Sequence, residues 1–77
     1  MDIKKQTPVY RFNLKEKRKE KGLLQAELAK LTDIGIASVR RYENGKRLPD
    51  VLTAHRLAQA LGCKIEDFIV EVTTEEE

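Results

Sequence analysis

Helix-breaking residues recur at short intervals along this chain, and they limit what it can fold into more than any other feature. Gly22, Thr32-Asp33, Asn44-Gly45 and Gly62 interrupt the apolar pattern. Glycine and asparagine favour the left-handed or turn conformations that end helices. The chain is thereby cut into short helical units that must pack on one another to bury anything. With 77 residues it is one small domain. A chain of that size buries only about 60% of its extended surface and is too short for a multi-layer enzyme fold.

The units are legible one by one. Asn13 is placed to cap a first helix, with Glu16 three residues on as in a capping box, and the charged run to Lys21 stops at Gly22. A second unit spans about Gln25 to Leu31, with Leu28, Ala29 and Leu31 offered to the core. A third spans Ile36 to Glu43. Lys46-Arg47-Leu48-Pro49 reads as a loop, and Asp50 as the cap of a fourth helix ending at Leu61-Gly62. Val51, Ala54, Ala58 and Leu61 fall on one face of that helix at helical spacing. A last turn, Ile65 to Phe68, follows. The expected organisation is an N-terminal extension over 1–12, a helical domain over 13–68 and an acidic tail over 69–77.

The two ends read differently. Pro8 to Phe12 and Phe68 to Val72 are rich in β-branched and aromatic residues and are short enough for strands. An isolated strand needs a partner. These ends are expected to pair with each other or with those of a second subunit; frayed termini are the alternative. Tyr10 and Phe12 are accordingly read as core or strand residues.

Several function classes are excluded by what the sequence lacks. No apolar run approaches the roughly 18 residues of a membrane span, and MDIKKQTP has no apolar core of a signal peptide. Cys63 is the single cysteine, so an internal disulfide is impossible and a reducing cytoplasm is the expected location. Cys63 and the single histidine, His55, do not make a zinc site; Cys63 reads as a small buried hydrophobe and His55 as a surface or interface residue. No nucleophile–base pair, metal cluster or phosphate-binding glycine loop is present, so an enzyme is not expected, nor a cofactor.

Charge is segregated. Residues 1–47 carry 13 Lys+Arg and 6 Asp+Glu, whereas residues 48–77 carry 2 and 7, so a net +2 conceals halves of +7 and −5. Such asymmetry points to a polyanion-facing side. Lys15, Lys17, Lys19 and Lys21 read as a solvated helix face. On a wheel of about 100° per residue, Val39 and Tyr42 share one face of the third unit, with Glu43 near them. Ala37, Arg40, Arg41 and Asn44 point the other way. A short helix with core anchors behind and arginines in front, led in by a tight turn from another short helix, has helix-turn-helix geometry. It fits the major groove, where arginine is shaped for bidentate contact with guanine.

Together these residues closely resemble the phage-repressor and Cro-like helix-turn-helix family, also called the xenobiotic-response-element type. The family's second-helix pattern stands here as Gln25-Ala26-Glu27-Leu28-Ala29, followed by Val39 and by Tyr42-Glu43-Asn44-Gly45. Arg18 and Gly22 match the usual preceding motif, and Pro49 to Gly62 the following one. The resemblance covers about residues 12–68. It implies an all-α, compact five-helix lambda-repressor-like domain, with the terminal strands as an addition. It implies that Ile36, Ala37, Arg40 and Arg41 read base edges. It implies phosphate contacts from Gln25, Ser38, Asn44, Lys46 and Arg47, and a buried ion pair between Arg18 and Glu43. Leu48 and Leu52, if exposed, are candidates for a dimer contact.

The sequence departs from the pattern at four places. Asp33 stands where the turn usually has Gly; Asp tolerates the left-handed conformation better than most residues. Gly35 replaces a Ser or Thr cap, at a cost of a few tenths of a kcal/mol. Leu24 occupies another usual cap position. Ile36 takes a usually polar base-reading position and is suited to a thymine methyl.

The resulting expectation is a sequence-specific double-stranded-DNA-binding transcriptional regulator of phage or bacterial origin. It would be a repressor acting as a dimer on a pseudo-palindromic operator, cytoplasmic and nucleoid-associated when bound. The alternative is the antitoxin of a toxin–antitoxin pair, in which the acidic end (Glu71, Glu75, Glu76, Glu77) meets a protein partner. An interaction module that has lost DNA binding is a third class, against which Arg40 and Arg41 argue.

Overall fold

Four helices, a 3-10 turn and a two-stranded sheet make up the computed structural model, which describes residues 9–72. In chain order these are β1 (Val9–Phe12), α1 (Leu14–Glu20), α2 (Gln25–Thr32), α3 (Ile36–Glu43), α4 (Val51–Leu61), the 3-10 turn (Ile65–Phe68) and β2 (Ile69–Val72). The expectation of five helices and an all-α domain is therefore corrected on two counts. The fifth unit is a 3-10 turn of four residues, because β2 takes over the chain directly after Phe68. The terminal strands are real: β1 pairs with β2 antiparallel within the chain, Val9 opposite Val72 and Phe12 opposite Ile69. Pro8, at the start of the expected first strand, and Glu75, Glu76 and Glu77 lie outside the described residues.

Helix ends follow the local chemistry closely. Asp50 caps α4, its Oδ1 accepting from the N–H of Thr53 at 2.8 Å; that backbone hydrogen bond also holds its carboxyl below the ordinary range. At the other end Gly62, with φ of 66°, lets its own N–H reach Gln59 O and the Cys63 N–H reach Ala58 O, closing the last carbonyls of α4. Asp33 ends α2 in the same way. It adopts φ of 59° without being glycine, and the Ile34 N–H reaches Ala29 O at 3.0 Å. Glu27 reaches back to the Leu24 N–H at 2.8 Å, doing half of what the missing polar cap would do.

The start of α1 departs from expectation. Asn13 makes no side-chain cap and no box with Glu16. Its N–H instead donates to Phe68 O at 2.6 Å. Asn13 is thus the last rung of the strand ladder, and that tie determines its backbone. Thr32 also differs: it lies inside α2, buried, with its hydroxyl bonded to Leu28 O at 2.8 Å. A buried hydroxyl satisfied by the preceding turn costs little.

The core is one cluster. Leu14, Leu28, Val39, Leu57 and Phe68 are fully buried, joined by Ala29, Tyr42, Ala58 and Leu61. Phe12 packs on Phe68 with ring centroids 4.8 Å apart, which fastens the sheet to the helices. Leu57, rather than Val51, completes the buried stripe of α4. Val51 is 69% exposed because the first turn of α4 overhangs the core, and Leu31 is 62% exposed at the end of α2. Tyr10 is exposed, so it is a strand residue but not a core one. Cys63 is half-buried against the cluster, and burial pushes its thiol up. His55 is exposed. Among the described residues, no helix is long and apolar enough to cross a membrane.

Candidate nucleic-acid interface

Helix α3 is amphipathic over only eight residues, and its two faces have different fates. Val39 is fully buried and Tyr42 is 8% exposed. Ala37, Arg40 and Arg41 are exposed on the other side, with Ser38 half-buried between. Neither guanidinium is engaged in an ion pair among the described residues. Ile36 is half-buried and packs on the core cluster, so only part of its side chain is open at the leading end of the helix. Gly35 precedes it in an extended conformation with no side-chain cap, and its carbonyl receives the N–H groups of Ser38 and Val39.

The loop after α3 extends this basic surface. Asn44, Lys46 and Arg47 are all exposed. The loop is held by its own main chain. The Lys46 N–H donates to Arg41 O at 3.0 Å and to Asn44 Oδ1 at 3.3 Å. Four cations, Arg40, Arg41, Lys46 and Arg47, thus stand on one helix end and the loop that leaves it.

Behind α3 lies the ion pair. Arg18 Nε donates to Glu43 Oε2 at 2.5 Å and Arg18 Nη2 to Glu43 Oε1 at 3.0 Å, a bidentate contact. The side chains of Arg18 and Glu43 are only 9% and 3% exposed. Arg18 Nη1 also donates to Leu23 O at 2.8 Å, so one guanidinium ties α1, the α1–α2 turn and the end of α3 together. The hydrogen bond to Glu43 holds the Arg18 guanidinium more firmly protonated than usual. For Glu43, burial acts to raise the carboxyl; hydrogen bonds from Arg18 and Gln25, with the charges of Arg18 and Lys15, outweigh it and leave the carboxyl below its ordinary value.

Gln25 makes a contact that its place in the motif does not announce. Its Nε2 donates to Glu43 Oε1 at 3.0 Å, which fixes the amide at the N-terminus of α2 and leaves one amide hydrogen to spare. The Leu23 carbonyl was likewise not a sequence candidate, because main-chain acceptors carry no side-chain signature. Leu48 and Leu52 are 70% and 72% exposed; Leu48 lines an apolar groove together with Tyr10, Phe12, Pro49 and Val51. Among the described residues, no group of three or more His, Cys, Asp or Glu could hold a metal ion.

The family model described as helix-turn-helix matches residues 14–68. A chain from Methanothermobacter thermautotrophicus, an uncharacterized HTH-type transcriptional regulator, is 40% identical over 58 residues, covering 74% of this chain and 84% of its own. The uncharacterized HTH-type transcriptional regulator YqaF of Bacillus subtilis is 39% identical over 62 residues, covering 80% and 82%. Among solved structures, the biofilm master regulator SinR in complex with DNA superposes with a TM-score of 0.68 at 21% identity, over 71% of this chain and 89% of that one. At that identity the likeness concerns the fold. A transcriptional regulator from Listeria innocua superposes with a TM-score of 0.69 at 28% identity, over 87% and 64%.

Proposed function

The chain belongs to the phage-repressor type of the helix-turn-helix family, and on that premise we propose that it is a sequence-specific, double-stranded-DNA-binding transcriptional regulator, a repressor that acts as a dimer on a pseudo-palindromic operator. One observation carries the reading. Helix α3 buries Val39 and Tyr42 and leaves Arg40 and Arg41 in solvent, without ion-pair partners among the described residues, beside Lys46 and Arg47. Unpaired cations on a short exposed helix have polyanion as their natural complement.

The roles follow from position. Ile36, Ala37, Arg40 and Arg41 read base edges in the major groove, Arg41 through bidentate contact with guanine and Ile36 through its open methyl surface against thymine. Ser38, Asn44, Lys46 and Arg47 hold phosphates and fix the register. Gln25, already oriented by Glu43, uses its remaining amide hydrogen on a phosphate. A dimer sets two such helices about 34 Å apart in successive major grooves and blocks the promoter by occupancy.

The test is selection from a random pool of duplex DNA, with wild-type protein and with Arg41→Ala. The expected winner is a palindrome with turn-spaced halves, and Arg41→Ala should loosen one position in each half. Failure to enrich any sequence at low salt would sink the proposal. The antitoxin reading is the alternative. Of its acidic segment, Glu71 is exposed on β2 and the rest lies outside the described residues; stoichiometric co-purification with a small basic protein would favour it.

A further inference from the structure

The sheet has only two strands, so β1 and β2 each have one edge with no neighbouring strand among the described residues. The ladder determines which groups of β1 face that edge. The Asn13 N–H donates to Phe68 O at 2.6 Å, and this pair continues the register in which Phe12 faces Ile69 and Arg11 faces Val70. Hydrogen-bonded and non-hydrogen-bonded pairs alternate along antiparallel strands. Val9, Arg11 and Asn13 therefore turn their N–H and C=O toward β2, while Tyr10 and Phe12 turn theirs outward. Tyr10 and Phe12 also line an open apolar groove of about 630 Å³, whose other walls include Leu48, Val51, Ala54 and Ile69. Tyr10, Leu48 and Val51 are 58%, 70% and 69% exposed. An unpaired strand edge beside exposed apolar side chains is a ready template for another strand.

We infer that the outer edge of β1 pairs with the same edge of a second copy, antiparallel across a two-fold axis, to give a four-stranded sheet in the order β2, β1, β1, β2. The inference names the dimer contact of the regulator proposed above and rests on that reading for its use on DNA. A two-fold contact requires a surface that complements itself, and an antiparallel strand edge does so. The register is also determined. With Tyr10 opposite Phe12 of the second copy, all the outward N–H and C=O groups of both strands are exchanged and Arg11 lies on the axis. A register centred on Tyr10 would place Pro8, which has no N–H, in the ladder. One centred on Phe12 would run into α1. Tyr10, Leu48 and Val51, all exposed beside the groove, add apolar surface to the contact. Two Arg11 side chains meeting at the axis repel, so the dimer should tighten with added salt even as DNA affinity falls.

Analytical ultracentrifugation of the full chain without DNA tests this. Tyr10→Pro removes one outward N–H yet leaves the bonds of Val9, Arg11 and Asn13 to β2. It should sediment as a monomer where wild type is dimeric, with dimerisation weakened at least tenfold and the far-ultraviolet circular dichroism unchanged. As a second variant, Arg11→Cys with Cys63→Ser places one thiol on each side of the axis at a non-hydrogen-bonded pair, where Cα atoms lie about 4.5 Å apart, within disulfide range. Mild oxidation should convert it to a covalent dimer, and this decides the matter if Tyr10→Pro loses its fold. A wild-type chain that stays monomeric at all concentrations, a Tyr10→Pro dimer as tight as wild type, or no disulfide dimer from Arg11→Cys would each overturn the inference. The DNA reading fails separately: the cross-linked dimer would form but enrich no sequence, whereas failure of this interface alone leaves a palindrome enriched and no cross-link.

Discussion

Glu43 is where the fold and the proposed interface meet at the scale of single residues. It accepts from Arg18 twice and from Gln25 once while its side chain is nearly inaccessible. Removing one partner of such a pair strands a buried charge, at a cost of about 3–5 kcal/mol. Glu43→Ala should therefore lower the unfolding free energy by that amount in urea titration, whereas Arg18→Met with Glu43→Leu should recover most of it. The depressed Glu43 carboxyl also sets a pH dependence. A carboxyl whose folded pKa lies below its unfolded value contributes stability above the unfolded pKa and loses it as pH falls through the folded one. Urea titrations below the ordinary carboxylate range should show wild-type stability declining with acid, and Glu43→Gln should lack that part of the slope. At the surface, Arg41→Ala should cost about 1–3 kcal/mol of specific binding and relax one base position. Lys46→Ala should weaken all sequences alike and reduce the salt slope by about 1. Fluorescence anisotropy over a salt series separates the two.

Elements are decided at their ends. Gly22, Gly45 and Gly62 all have positive φ, and Asp33 is the non-glycine residue that joins them among the described residues. Gly62 has room for a methyl, since the nearest atom to an added Cβ is the flexible Lys21 amine at 3.4 Å. The cost of substitution there is consequently conformational. Gly62→Ala is expected to destabilise by about 1–2 kcal/mol, the penalty of the left-handed conformation for a residue with a Cβ. Thermal denaturation should show the loss while the DNA preference stays as in wild type, because α4 ends far along the chain from α3. The capping of α4 by Asp50 and the stop of α2 at Asp33 have the same local origin. The start of α1 does not: Asn13 satisfies a carbonyl of the 3-10 turn, so the helix begins where the sheet lets it.

At the scale of the whole molecule, one cluster of nine buried residues among those described holds every helix and, through Phe68 and Phe12, the sheet. A domain this small has little stability in reserve; about 5–15 kcal/mol is the general range for native proteins. Leu57 is fully buried on α4, within the core cluster. Leu57→Ala should cost about 2–5 kcal/mol, and calorimetry should find the melting temperature lowered by many degrees or the cooperative transition lost. The same thin core explains why apolar side chains such as Leu48 and Val51 stay outside: the first turn of α4 reaches beyond the cluster that could cover it.

The sequence by itself determined the four helices to within a residue or so and the buried faces of α3 and most of α4, and its resemblance to the family implied the pairing of Arg18 with Glu43. The first two depend on local chemistry, namely caps, left-handed residues and apolar side chains recurring at the helical period. The ion pair was legible only through the resemblance of the motif, since its partners lie 25 positions apart. Tertiary structure alone decided the rest. Strands of four residues do not reveal their partners, and β1 and β2 meet because the helical domain between them brings its ends together. That closure assigns Asn13 to the ladder and orients the outward groups of Tyr10 and Phe12. Long-range pairing pays for its loop closure with contacts from the entire core, so no local window of the sequence encodes it.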